Sequence, residues 1–495
     1  MTESIVIADH FIYATPNEVG VKGDLEKNMS GVRFKNLSIF VILGLLILPF
    51  FTGCNAPQGH LATFNRHFLG SDYEESALFA QKKISKSKNP KGEDLLWALQ
   101  LGTVQRIQQE YTKSTETFDK AEEMLKYYDE QSRLADGIGT TIVNENIIPY
   151  RGEEYDGIMV NVYKALNFMA EKKFDLARVE FNRALDRQRR AKEEFNEEIR
   201  KLQAELEKDQ QKDSVSKSNV ENPETQELLA QKYPNLYNFE AYPDFVNPFA
   251  TYLAGVFFNL VSDHSKAVDL LKESYGMVGD NAYIAEDFSI TENVLDGKGQ
   301  LEDTIWLIFE NGLGPVKKEF RLDIPLFIAT DEVKYIGIAL PQLEFRDRAY
   351  PYLVVEVDGK DYKTCLVSDM DRVVQTEFSK DFKGILTRAI VSTTAKAIAQ
   401  YAVKKQDSSS PSSSLASLFV AAYSYATTAA DVRIWTTLPK DFQVARFPKP
   451  KNGKLKVTPA GANPFEINIP GCNNAIVYVR ITANQAEPIF EVITF

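Results

Sequence analysis

Three stretches of this 495-residue chain repeat the same set of spacings, and nothing else in it restricts the fold as tightly. A small residue opens each set: Gly102, Ala165 and Gly255. Twelve residues on stand Ser114, Ala177 and Ala267; four further, Phe118, Phe181 and Leu271; three further, Ala121, Ala184 and Ser274. Spacings of four and three keep the later residues on one helical face. A small residue on the first helix lets a second helix approach, and the large residue fills the space between them. Each stretch therefore predicts two antiparallel helices joined by a short turn. An Ala-rich bundle can match such a pattern once by chance, but hardly three times.

The pattern fits the tetratricopeptide (TPR) template, whose unit is a helix pair of about 34 residues. The units here are not contiguous: about 63 residues separate the first two and about 90 the second two, so spacers or degenerate units must intervene. One spacer is GIGTTIVNENIIPYRGEEYDG, residues 137–157. Another is the charged run Arg183 to Lys212, which continues the second helix of the middle unit. Phe195, Ile199, Leu202 and Leu206 give it a seam of about two heptads, too short for a coiled coil alone, so it reads as a projecting helix. Residues 213–226, DSVSKSNVENPETQ, have the composition of a loop or a disordered segment.

Beyond about Glu302 the hydrophobic period changes to two. TIWLIFE, VKKEFRL, KYIGIAL and PYLVVEV read as strands, and Asp358-Gly359 before DYKTCLV is a strong hairpin signal. Two Ala-rich helical stretches around QDSSSPSSS then interrupt the strands over about 382–430. Arg388, Lys396 and Lys404 argue for a packed hairpin there and against a membrane span. Strands resume with FQVARF and KLKVT around Asn452-Gly453, then FEINI, AIVYVRI and FEVITF. The expected fold is α+β: an N-terminal TPR-like helical array over 71–295, then a mostly β domain over 296–495 with an inserted helical hairpin.

The start of the chain predicts where it works. Lys35 to Cys54, KNLSIFVILGLLILPFFTGC, holds an apolar run too short for a comfortable span but right for a secretory signal. Phe51-Thr52-Gly53-Cys54 resembles the bacterial lipobox, in which the Cys is diacylated and becomes the new N-terminus. Residues 1–53 are read as leader and signal peptide, with Met29 as an alternative start, Cys54 as the lipidation site and 54–70 as a tether. No Asp stands at the second mature position and no acidic run follows Cys54. By resemblance to sorted lipoproteins, both point to the outer membrane and its periplasmic face.

Composition narrows the partners. The net charge of −12 disfavours nucleic acid, and it disfavours electrostatic adhesion to anionic lipid, which leaves the acyl chain as the expected membrane link. Cys365 and Cys472 are read as a possible disulfide or as two thiols. His60, His67 and His264 show no metal-ligand spacing, and no metal or cofactor is expected. Gly137-Ile138-Gly139 and Gly312-Leu313-Gly314 lack the context of a phosphate loop, so no nucleotide is expected either. Asp369, Asp371 and Asp381 could bracket a cation or act as an acid–base pair, but their spacing matches no calcium loop and a capped loop before the helix at Phe382 is the better reading.

ENIIPYRGEEYDGIMVNVYKALNFMAEKKFDLARVEFNRALDRQ, residues 145–188, resembles a family of bacterial TPR-containing outer-membrane lipoproteins without established activity; DVRIWTTLP, residues 431–439, resembles it more loosely. The resemblance implies an envelope protein that accompanies other small lipoproteins, and it supplies no catalytic residues. Tyr150, Arg151 and Tyr155 are candidate partner anchors, since exposed aromatic and Arg side chains dominate interfaces. Asn161 and Tyr252 would mark the concave face of the array. The function expected is a non-enzymatic scaffold that binds envelope proteins through the array, in envelope assembly or the regulation of peptidoglycan synthesis. The alternatives are a subunit of a secretion or surface-motility complex, or a carbohydrate-active enzyme using an Asp/Glu pair.

Overall fold

The structure, a computed structural model, describes residues 56–87, 89–135, 149–212, 223–233, 247–325, 335–382, 384–386, 389 and 429–495. The signal run with Cys54, the stretch 213–222 and most of the expected hairpin at 382–430 lie outside the described residues. Ala56–Phe495 form one compact unit.

Among the described residues ten helices precede the strands: α1 (Ala56–Leu69), α2 (Tyr73–Lys83), α3 (Asp94–Ile107), α4 (Tyr111–Ala135), α5 (Glu154–Ala170), α6 (Phe174–Lys212), α7 (Pro223–Lys232), α8 (Pro248–Leu260), α9 (His264–Val278) and α10 (Ala282–Leu295). The three pairs read from sequence are α3–α4, α5–α6 and α8–α9, and their close approach is real. A Cβ on Gly102 would lie 2.6 Å from the Phe118 ring, and one on Gly255 would lie 2.9 Å from Leu271. The pairs also share a turn that the spacing did not disclose. Gln109, Lys172 and Ser262 all adopt positive φ, near 60°, seven residues after the small residue. The next amide reaches back to the fifth carbonyl before it: Glu110 to Gln105 at 2.9 Å, Lys173 to Phe168 at 2.8 Å and Asp263 to Phe258 at 2.8 Å. This is the Schellman closure of a helix end.

The same turn occurs once more, at Ser71, where the Asp72 amide donates to the His67 carbonyl at 3.0 Å. From Ala56 on, the stretch expected to be a tether is instead helix α1, with Leu61, Phe64 and Phe68 buried, and α1–α2 is a fourth hairpin. Counted from the turn, Phe64 takes the place of Gly102 and Ala80 that of Phe118. Large and small are exchanged, which still fills the gap but hides the hairpin from a search for small-then-large.

Among the described residues eleven strands follow: β1 (Thr304–Asn311), β2 (Val316–Pro325), β3 (Tyr335–Glu344), β4 (Leu353–Val357), β5 (Lys360–Lys363), β6 (Cys365–Asp369), β7 (Asp441–Pro448), β8 (Lys454–Pro459), β9 (Phe465–Asn468), β10 (Ala475–Ile481) and β11 (Ile489–Thr494). They make a five-stranded sheet in the order β11-β10-β1-β7-β6, a four-stranded sheet β5-β4-β8-β9 and the ribbon β2-β3. Asp358 and Gly359 take φ of 49° and 81° and close the β4–β5 hairpin, as expected of DG. Strands β7 and β8, on either side of Asn452-Gly453, part into different sheets.

The five-stranded sheet sits between the two other layers, and β1 shows how. Ile305, Leu307 and Phe309 pack against Leu353, Val355, Leu455 and Val457 of the four-stranded sheet. Trp306 and Ile308 belong to the core shared with the helices. The first helices α3, α5 and α8 are buried along nearly their whole length, enclosed by the second helices and by the sheet. Residues 429–440 run over them as an extended segment in which the Trp435 ring lies 5.9 Å from Phe118 and 5.8 Å from Tyr163. The face expected to be open and concave is filled by the chain's own β half.

Candidate functional site

Polar side chains cluster along the seam between first helices and sheet. Strands β1 and β10 run parallel and bring Glu310 level with Arg480, deep inside. Glu310 accepts from the Tyr163 hydroxyl at 2.7 Å, from the Tyr478 hydroxyl at 2.7 Å and from Arg480 Nη1. Arg480 Nη2 donates to the Thr437 carbonyl at 2.6 Å, tying in the extended segment. Burial first, and then the Glu310 carboxylate, push both tyrosine hydroxyls well above their ordinary pKa. Beside them Arg106 donates to Asn167 Oδ1 at 2.9 Å and pairs with Glu491. A small cleft of about 30 Å3, open to solvent, lies here, lined by Arg106, Gln109, Tyr111, Arg480, Phe490 and Glu491. Its two guanidinium groups are matched by Glu310 and Glu491.

A second cluster centres on Asp287 of α10. It accepts from the Tyr252 hydroxyl at 2.7 Å and from Trp306 Nε1 at 3.0 Å, and it pairs with Arg446 Nε at 2.9 Å. Burial raises its carboxyl to about 6 against the pull of Arg446. Tyr252, expected on an open face, is thus a buried strut between α8 and α10.

The third cluster surrounds the start of α5 and holds the residues first expected to meet a partner. The Tyr150 hydroxyl donates to Asp156 Oδ2 at 2.6 Å, and the same oxygen accepts the Glu153 amide at 3.0 Å, half of a capping box. Glu377 accepts the Glu154 amide at 2.7 Å, and Lys317 reaches Glu153 at 2.9 Å. Burial pushes Asp156 up to about 7; burial together with Glu153, Glu154 and Asp381 raises Glu377 well above the carboxylate range. Tyr150 and Tyr155 are both buried, so they are interior residues of the helix–sheet seam; Arg151 alone of the three is exposed.

Asn161 belongs to a fourth cluster, between α4, α5 and α6. Its amide donates to Glu122 at 3.0 Å and to Glu180 at 2.8 Å, and its oxygen accepts from Arg187 at 2.9 Å. Lys164, only 1 % exposed, sits among Asp119, Glu122 and Glu180 at 2.8, 2.8 and 3.1 Å. Burial works to raise the Glu122 pKa, but hydrogen bonds from Lys164 and Asn161 outweigh it and bring it to about 2. Asn161 therefore faces the second helices and not a groove.

The remaining candidates separate. Cys365 and Cys472 are free thiols, each partly buried, so the possible disulfide is not formed. Asp371 pairs with Lys440, and Asp369 accepts the Asp371 amide at 3.0 Å, a local cap next to buried Asp441 and its exposed partner Arg348. Asp381 acts instead on the Glu377 cluster. Among the described residues no group of three or more His, Cys, Asp or Glu could hold a metal ion. The charges that matter most were not singled out from sequence. Glu310 and Arg480 had a readable signal, each a lone charge within an apolar strand.

No family model matches the chain, and no curated protein matches it. A solved structure found by comparison is a tetratricopeptide repeat protein from Parabacteroides merdae, at 12 % identity, covering 48 % of this chain and 98 % of that one with a TM-score of 0.13. A score so low carries no argument, and the hairpin architecture rests on the turns and contacts given above.

Proposed function

We propose that this chain is a non-enzymatic interaction scaffold of the bacterial envelope, held by an acyl chain at Cys54 on the periplasmic face of the outer membrane. It would serve envelope assembly, such as the regulation of peptidoglycan synthesis. Support comes from the signal run ending in a lipobox-like Cys54, from the helical hairpins and from the resemblance of residues 145–188 to TPR-containing lipoproteins.

One observation carries the form of the scaffold: the first helices are enclosed on both sides, so a partner is met on the second helices α4, α6 and α9. Of these α6 reaches furthest. It runs to Lys212, about 22 residues past the point level with the start of α5, or roughly 33 Å at the helical rise. Near its base Leu176 and Val179 are exposed.

Photo-crosslinkers at Leu176, at Val179 and at buried Tyr252 test this in the native envelope. Adducts to envelope proteins from the first two positions alone are expected; none from any position would sink the scaffold reading. The anchor is tested separately, since Cys54→Ser should release the protein from membrane pellets.

A further inference from the structure

The α1–α2 hairpin presents a feature that the scaffold reading does not use. In a chain of net charge −12, five lysines fall within residues 82–91, and Lys82, Lys83, Lys86 and Lys91 are the four that the structure describes. The tight turn at Ser71 makes α1 and α2 antiparallel, so the end of α2 lies beside the beginning of α1. Contacts agree: the His60 ring is 6.3 Å from Phe79, and Lys83 Nζ stands 5.2 Å over that same ring. Burial and Lys83 together hold the His60 imidazole below its ordinary pKa.

The loop after α2 is shaped by one carboxylate. Asp94, buried at the start of α3, accepts from the Ser85 amide at 2.7 Å, the Ser85 hydroxyl at 2.6 Å and the Lys91 amide at 2.8 Å. Asp94 thus pins both ends of the loop. Neighbouring Glu93 accepts from Trp97 Nε1 at 2.9 Å. Among the described residues none of the four ammonium groups is in an ion pair. Lysines in a final helical turn favour the helix dipole, which explains Lys82 and Lys83. It does not explain Lys86 and Lys91, which lie beyond the helix.

We infer that this lysine face is a second membrane contact, specific for anionic phospholipid headgroups. It rests on the acyl-anchor reading: only Asn55 separates Cys54 from Ala56, where α1 begins, so the anchored end of the chain is the end that carries the lysines. An acyl chain joined to a basic patch is a two-signal attachment, stronger than either alone. The acidic balance of the whole chain does not oppose it, because screening limits a charge to its surroundings within about 8–10 Å.

The test uses the full protein purified from its membrane. Mass analysis of the N-terminal peptide reads acylation of Cys54 and so judges the anchor reading alone. Lysine acylation footprinting then compares phosphatidylcholine vesicles with vesicles containing about 30 % phosphatidylglycerol, at low salt. Lys82, Lys83, Lys86 and Lys91 should be modified about fivefold more slowly on the anionic vesicles, with Lys454 and Lys456 unchanged, and about 0.5 M salt should abolish the difference. If Cys54 proves unacylated, flotation with anionic vesicles replaces footprinting, and the fourfold Lys→Gln variant should float less than wild type. Equal modification on both vesicle types, or equal flotation of variant and wild type, overturns the inference. So does protection seen with envelope fractions but with neither vesicle type, which would assign the loop to a protein partner.

Discussion

The two faces of the five-stranded sheet are closed by different chemistry. Towards the four-stranded sheet the middle of the contact is hydrocarbon, Ile305, Leu307 and Phe309 against Leu353, Val355 and Leu455, and buried polar groups (Asn311, Asp441 and Gln443) come only at its end. Towards the helices the same strand offers Trp306, Ile308 and then Glu310, and the seam carries buried acids, guanidinium groups and tyrosine hydroxyls. An apolar face tolerates sliding and repacking, because one methyl group replaces another at small cost. A buried ion pair with fixed donors has one good arrangement, and leaving it costs the desolvation of every member. The apolar face supplies cohesion; the polar face fixes which helix meets which strand.

The largest test of that contrast is Glu310→Ala. It leaves Arg480 charged and uncompensated inside, and it strips two tyrosine hydroxyls of their acceptor. A loss of about 3–5 kcal/mol in urea unfolding is expected, and even isosteric Glu310→Gln should lose most of it. The counterpart on the other face is Leu307→Ala, expected to cost about 2–4 kcal/mol through the cavity it leaves. There the conservative exchange behaves oppositely: Leu307→Met should cost less than about 1.5 kcal/mol. If Glu310→Gln is tolerated as well as Leu307→Met, the two faces do not differ in kind.

The polar seam should also respond to pH. Burial holds Asp156 up near 7, whereas an unfolded Asp titrates near ~3.9. Between those values the native state binds more protons than the unfolded state, so this group's contribution is full below the window and is lost as pH rises through 7. Asp156→Asn keeps an acceptor for Tyr150 and removes the titration. It should flatten the change in stability between pH 5 and pH 8, by up to about 3 kcal/mol for one group shifted this far. An unchanged pH profile would mean that Asp156 is ionised throughout.

Much of the frame was legible beforehand because it rests on local periodicity. The period-two runs became strands, Asp358-Gly359 became their turn, and the spacings from Gly102, Ala165 and Gly255 found three hairpins. The fourth was lost because Phe64 and Ala80 reverse the expected sizes. Burial of the array's inner face was not legible, since no local pattern says that Tyr163 of a helix will meet Glu310 of a strand about 150 residues on. Tyr150, Tyr155, Asn161 and Tyr252 were misplaced for that reason. Aromatic and amide side chains suit an exposed interface and a buried seam alike, and only the covering layer decides between them.

The smallest effect should lie at the sheet's rim, where the seam reaches solvent. Strand β11 is an edge, and an open edge is a template for pairing with another chain. Here the hairpin turns cover it: Gln109 Nε2 donates to the Phe490 carbonyl at 3.1 Å, and Lys172 Nζ to the Thr494 carbonyl at 2.6 Å. Gln109 and Lys172 are equivalent turn residues of successive hairpins, so the repeat itself places one donor after another along β11. Both contacts are exposed, where water competes for donor and acceptor alike. Gln109→Ala and Lys172→Ala should therefore each cost less than about 1 kcal/mol, and the double variant little more than the sum. Urea unfolding reads this directly. A loss well above that from either change would place the grip between helices and sheet at the rim, with the Glu310 cluster merely filling the space behind it.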